Sequence, residues 1–141
     1  KMTKNYKILG NYIKDMSSET PDIETHIFVK DYISKYQLNI DITSKALKNK
    51  MIEVNTILKF EDKQENKKKS YFEINYSTIV EINDEIKEKK DLEKIILCDV
   101  QIEIYPKLEK SFLNLLHNSG YPDVKFEKKI DFDQLYSQRL N

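Results

Sequence analysis

The histidines, the cysteine and the carboxylates are the first places to look for covalent or metal chemistry, and the chain has two, one and twenty-four of them. His26 and His117 lie in unlike contexts, and neither has a second ligand at metal spacing. His26 is expected on a surface loop. His117 is expected near a helix C-terminus, where its charge meets the dipole favourably. Cys98 closes the apolar run Ile95-Ile96-Leu97-Cys98, which predicts a buried, inert thiol. Acid pairs such as Glu61-Asp62 and Asp131/Asp133 read as solvated surface in so acidic and basic a chain. Gly10 and Gly120 are the two glycines, so neither a Walker loop nor a dinucleotide fingerprint can be built. No cofactor and no catalytic set are expected. The remaining resource is non-covalent: fifteen aromatic residues, nine of them tyrosine, a composition suited to amphipathic contact with partners.

Four strands and a helical C-terminal third must position those residues. In the first strand, Tyr6, Ile8, Gly10, Tyr12, Lys14 and Met16 are expected on one face and Leu9, Asn11, Ile13 and Asp15 on the other. Strand character fades near Ser17 and Ser18. Glu19 to Lys35 contains Pro21 and no clean period, and reads as a long crossover without structure of its own. Three stronger strand signals follow. Tyr36, Leu38, Ile40 and Ile42 alternate with polar residues; Ile52, Val54, Thr56, Leu58 and Phe60, and then Phe72, Ile74, Tyr76, Thr78, Val80 and Ile82, alternate with mostly polar ones, Ile57 and Ile79 excepted. One apolar face per strand predicts an antiparallel sheet covered on one side. From Asp91 the period becomes helical, through Leu92, Ile95 and Ile96, then Tyr105, Leu108, Phe112, Leu115 and Leu116. Pro106 fits the first turn of the second of these helices. Asn118-Ser119-Gly120 stops it, and a last helix is expected over Phe132 to Arg139 with Asp131 as its N-cap. The fold class is therefore α+β: a four-stranded antiparallel sheet, a crossover after strand one, and C-terminal helices packed on one face, all in a single domain over residues 1–141.

The chain has 24 basic and 24 acidic residues, giving net charge zero. That balance argues against a dedicated nucleic-acid binder and against a polybasic membrane anchor. The Lys67-Lys68-Lys69 run lacks the interleaved aromatics of a single-strand platform. No apolar run approaches a membrane span, and no charged segment followed by an apolar one opens the chain, so no signal peptide is expected. A single cysteine fits a reducing compartment, hence a cytoplasmic location.

Three stretches, in order, carry a resemblance. They are Tyr12-Ile13-Lys14-Asp15-Met16-Ser17-Ser18-Glu19-Thr20-Pro21; Phe28-Val29-Lys30-Asp31-Tyr32 leading into Leu38-Asn39-Ile40-Asp41; and Gly120-Tyr121-Pro122 followed by Ile130-Asp131-Phe132-Asp133-Gln134-Leu135-Tyr136, with Tyr105-Pro106 opening the helix before it. From about Tyr12 to Tyr136 the chain resembles the SecB family of protein-export chaperones. The resemblance implies a nucleotide-independent cytosolic holdase that binds unfolded preproteins and passes them to the motor SecA, working as a homotetramer, a dimer of dimers. It implies SecA contact at Asp15, Glu19, Tyr71 and Glu73. It implies a client groove lined by Ile27, Phe28, Tyr32, Tyr36, Leu38, Ile40, Leu135 and Tyr136, and positions that affect the tetramer at Phe72, Ile74 and Tyr76. A SecB-like chaperone dedicated to one client, such as a toxin–antitoxin pair, stays open beside this. So do a small enzyme and a nucleic-acid interaction module.

Overall fold

β3 (Met51–Glu61) and β4 (Tyr71–Ile82) form where the apolar alternation is cleanest. A period of two puts Ile52, Val54, Thr56, Leu58 and Phe60 of β3 on one side, with Phe72, Ile74, Tyr76, Thr78, Val80 and Ile82 of β4, and all of them are buried. The antiparallel register sets Leu58 against Ile74 and Phe60 against Phe72, so the buried rows lie side by side. β2 (Gln37–Ala46) pairs with β3, and β1 (Tyr6–Glu19) pairs with β4. The order β1-β4-β3-β2 makes β1 and β2 the two edges. The β2–β3 hairpin turns at Lys48-Asn49-Lys50, with Asn49 and Lys50 both at φ 61°, the handedness that suits tight hairpins. This sheet, with helices across one face, is the α+β architecture expected. The computed structural model describes residues 5–65 and 68–139, so Lys67 of the basic run lies outside the described residues.

Two segments depart from the expectation. β1 does not alternate cleanly and does not fade at Ser17: it runs to Glu19, with register breaks between Ile8 and Gly10 and between Ile13 and Asp15. Each bulge adds one residue and flips the faces that follow. Tyr12 therefore shares a face with Ser77, and Ile13 with Tyr76. The crossover is not structureless either. Ile23–Tyr32 forms helix α1, and a 3₁₀ turn follows over Ile33–Lys35. Asp22 caps α1, its Oδ1 accepting from the Thr25 amide at 2.8 Å. The helix hides from pattern analysis because it is apolar on both sides: Val29 is buried while Ile23 and Ile27 face outward.

The C-terminal helices are one continuous rod in three parts. α2 (Lys89–Lys94) passes through a π turn at Ile95–Asp99 into α3 (Val100–Asn118). Pro106 is thus inside α3, not in its first turn. Its missing N–H leaves the carbonyl of Ile102 without the usual partner, and both residues lie on the exposed side. The π turn is held by Gln101, fully buried, whose Nε2 donates to the Ile96 carbonyl at 3.2 Å while its Oε1 accepts from Thr56 Oγ1 at 3.0 Å. Tyr105, Leu108, Phe112 and Leu116 form the buried stripe of α3 against the sheet. α3 ends as expected. The Tyr121 amide donates to the Leu116 carbonyl at 3.2 Å and the Gly120 amide to the His117 carbonyl at 3.3 Å, with Gly120 at φ +102°. That is a Schellman closure. α4 (Phe132–Arg139) starts where expected, with Asp131 Oδ1 accepting from the Gln134 amide at 3.0 Å.

Candidate functional site

The helices cover one sheet face and leave the other open. On that outer face β1 and β4 set Glu19 beside Tyr71, Ser17 beside Glu73, and Asp15 beside Asn75. The second bulge is what turns Asp15 outward, next to a strand neighbour it would otherwise face away from. Asp15, Glu19, Tyr71 and Glu73 therefore form one cluster over two adjacent strands. Asp15, Glu19 and Tyr71 are exposed, Tyr71 at 59%. Glu73 is half-buried, 3.5 Å from Lys59.

Next to them lies a carboxylate that sequence reasoning missed. Glu53 accepts from Tyr12 Oη at 3.1 Å, Lys14 Nζ at 3.4 Å, Asn55 Nδ2 at 3.3 Å and Ser77 Oγ at 3.2 Å. These donors, Asn55 first, hold its carboxyl below the usual range. The convergence crosses three strands, and only the register brings it about. A second missed network joins Tyr36, Ser70, Thr20 and Tyr121. Ser70 Oγ is 2.7 Å from Thr20 Oγ1 and 2.9 Å from Tyr121 Oη, and the Ser70 amide donates to Tyr36 Oη at 3.1 Å.

The apolar candidates fall into two groups. Ile27, Phe28, Tyr32, Tyr36, Leu38 and Ile40 run from α1 through the 3₁₀ turn into β2. Ile27 and Tyr32 are exposed, at 57% and 42%, and Tyr32 stacks on Phe28 with centroids 4.6 Å apart. Leu38 and Ile40 are half-buried on edge strand β2, while Tyr36 is in the core. Leu135 and Tyr136 sit elsewhere. α4 lies along the rod, where Phe132 packs edge-on against Tyr105 at 5.3 Å and Tyr136 Oη donates to the Lys90 carbonyl at 3.2 Å. α1 meets the other end of α3: His26 stands over Tyr121 with ring centroids 5.0 Å apart. Thirteen helical steps from Tyr105 to Asn118 separate the two places by about 20 Å. Six of the eight thus lie around α1 and β2 and two on α4, so they form no single groove, and Tyr36 and Tyr136 are buried in the core. Phe72, Ile74 and Tyr76 are 2%, 0% and 3% exposed in this chain's own core. They meet the chain's own core residues, so any effect on assembly passes through the shape of the sheet.

The reactive residues are placed structurally. His26 is not on a surface loop; it is half-buried in α1. His117 is in the last turn of α3, as expected, with Nε2 2.9 Å from the Val124 carbonyl. Cys98 is buried, its Sγ donating to Asp133 Oδ1 at 2.9 Å. Burial, then Asp133, pushes the thiol pKa up to about 12, so it is no nucleophile at neutral pH. Among the described residues, no three His, Cys, Asp or Glu side chains are placed to hold a metal ion, and no helix is long and apolar enough to cross a membrane.

What this arrangement can do is bind, by an acidic sheet face and the exposed apolar side chains of α1 and β1. Comparison with known proteins identifies the family of the chain. The family model for SecB, described as preprotein translocase subunit SecB, matches residues 1–141. A putative protein-export protein SecB of Pelagibacter ubique is 66% identical over 140 residues, covering 99% of this chain and 100% of its relative. The protein-export protein SecB of Parvibaculum lavamentivorans is 23% identical over 133 residues, 94% of this chain and 77% of the relative. Among solved structures, a SecB-like chaperone of Mycobacterium tuberculosis, in complex with a ChAD peptide from the HigA1 antitoxin, superposes with a TM-score of 0.64 at 9% identity, over 89% of this chain and 91% of the other. Matched by the family model along its whole length and two-thirds identical to a SecB relative, the chain belongs to the SecB family.

Proposed function

We propose that the chain is a cytoplasmic, ATP-independent holdase that binds unfolded preproteins, keeps them competent for translocation and delivers them to SecA. The observation that carries this reading is the family match over residues 1–141. The fold supports it: a sheet with one open face and aromatic surfaces beside it suits binding without turnover. A holdase needs no catalytic group. It lowers the free concentration of unfolded client and shifts the folding equilibrium by mass action. Each apolar anchor of a client supplies about 1–3 kcal/mol of burial, so a single surface is weak and tolerant of sequence.

Assembly multiplies weak contacts into avidity, and the proposed assembly is a homotetramer, a dimer of dimers. β1 supports self-association: it is a 14-residue edge strand with Leu9, Tyr12, Ile13 and Met16 each 44–45% exposed. An edge of that length with apolar side chains invites pairing. In this reading Ile27, Phe28, Tyr32, Leu38 and Ile40 receive clients, with Tyr36 supporting them from beneath. The cluster of Asp15, Glu19, Tyr71 and Glu73 meets SecA.

The test is refolding of a denatured, signal-bearing precursor diluted into buffer with the purified protein and no nucleotide. A folding delay that saturates near one tetramer per precursor is expected. Refolding at the precursor's own rate at any ratio would remove the general holdase reading and leave a dedicated client as the alternative.

A further inference from the structure

We infer that Glu53 is a positioning residue for the acidic docking cluster: its carboxylate pins the bulge of β1 at Lys14 and so keeps Asp15 turned onto the open face; this rests on the reading above that SecA docks there. Between Ile13, opposite Tyr76, and Asp15, opposite Asn75, β1 carries one extra residue, Lys14. Tyr12 lies opposite Ser77 on the open face. Strict alternation from Tyr12 would send Asp15 to the side that the helices cover. The extra residue returns it, and Glu19 after it, to the side of Tyr71 and Glu73. The cluster of Asp15, Glu19, Tyr71 and Glu73 therefore exists only while the bulge stays at Lys14.

Burial does not keep it there. Tyr6 is buried at the start of β1, but every residue from Asn11 to Glu19 is exposed, and Ile13 and Met16, on the covered side, are each 45% exposed. Register is strongly specified where one face of a strand is buried and weakly where neither is. A bulge displaced toward Glu19 would turn Asp15 over, so polar ties must hold it. Asn11 Oδ1 accepts from Thr78 Oγ1 at 2.8 Å before the bulge, and Ser18 Oγ donates to Ser119 Oγ at 2.6 Å after it. Glu53 straddles the bulge itself. Tyr12 Oη donates to its Oε2 at 3.1 Å and Lys14 Nζ to its Oε1 at 3.4 Å. The grip comes from β3, with β4 lying between, and Asn55 and Ser77 hold the carboxylate in place from beside it. A slip of one residue would carry Tyr12 and Lys14 along by about 3.3 Å, beyond hydrogen-bond reach.

The test separates position from charge. Glu53→Asp keeps the negative charge and shortens the arm by one methylene. Lys14→Met removes a positive charge from the open face. If charge alone mattered, the first would leave association with a basic partner unchanged and the second would speed it. Expected instead is association with SecA about threefold slower for both at low salt. The double variant should be no slower than the slower single, because both substitutions break one pin. Binding of an unfolded client should stay unchanged. The register is read directly by backbone NMR: the cross-strand contacts that set Asp15 opposite Asn75 should weaken in both variants, and those that set Tyr6 opposite Ile82 should persist. If the Asp15 contacts hold in both variants, if the slowing adds in the double variant, or if client binding falls in parallel, the inference is overturned while docking on this face stands. If the Asp15 contacts are lost and association with SecA is unchanged or faster, docking on this face is overturned and the inference with it. Failure of SecA to bind the unsubstituted protein overturns both as well.

Discussion

Gly120 is fixed by two constraints at once. Its backbone lies at φ +102° in the turn that closes α3, where a side chain strains the backbone. A Cβ added there would also stand 2.6 Å from His26 Cε1. Gly120→Ala should therefore destabilise the protein by about 1–3 kcal/mol, measured as a lower urea midpoint at unchanged slope. Pairing it with His26→Ala separates the causes. Removing the imidazole relieves the collision but not the backbone strain, so recovery should be partial. Full recovery would mean that the dihedral costs nothing. The stop at Asn118-Ser119-Gly120 was legible because a glycine after an apolar helical stripe has few other uses. The imidazole above it was not, since ninety-four positions separate His26 from Gly120 and nothing local links them.

Between elements, the legible and illegible parts divide by the range of the cause. β3 and β4 were readable because every second residue is apolar and one whole side is buried. α1 was not, because its apolar residues point both inward and outward and no 3.6 period survives. Pro106 misled for a related reason. Proline is placed by its local cost, about 3 kcal/mol inside a helix, yet the rod tolerates it on an exposed side while its opposite stripe stays packed. The π turn depends on Gln101 reaching both Thr56 and Ile96, a contact over forty-five positions on one arm. Two other cross-element ties can be tested by pH. Tyr6 Oη donates to Glu103 Oε1 at 3.2 Å, joining β1 to α3, and burial first, then Glu103, pushes its pKa up to about 12. Cys98, also pushed up to about 12, joins the π turn to α4. Both groups are neutral in the fold and lose their protons sooner when unfolded. Their contribution is complete below about pH 9 and is lost as pH rises toward 12. The urea midpoint should fall from pH 9 upward, and Tyr6→Phe with Cys98→Ser should make that fall shallower without abolishing it, because burial also raises the pKa of Tyr36, Tyr76 and Tyr105. A midpoint that stays level from pH 8.5 to 11 would refute the assignment.

For the whole molecule, a net charge of zero conceals a division between faces. The pairing registers place Asp15, Glu19, Asp41, Glu53, Glu61, Glu73 and Glu81 on the open side of the sheet, against Lys7, Lys14, Lys45 and Lys59. The open face is thus acidic although the chain is neutral. The acids were visible in the sequence, but their gathering depends on bulges and registers that composition cannot express. Such a face attracts a basic partner surface over about one Debye length, roughly 8 Å at physiological salt, and mainly accelerates encounter. If SecA docks there, Asp15→Asn with Glu73→Gln should weaken its binding several-fold at low ionic strength, chiefly through a slower association rate, and the difference should shrink as salt is added. Client binding should stay unchanged, because neither residue is among the apolar residues of α1 and β2 proposed to receive clients. Measuring association rates for both partners from 25 to about 300 mM salt, over which screening grows steeply, decides the matter. An unchanged SecA rate at the lowest salt would move the docking site off this face, and a parallel loss of client binding would show that the substitutions had disturbed the sheet rather than a contact.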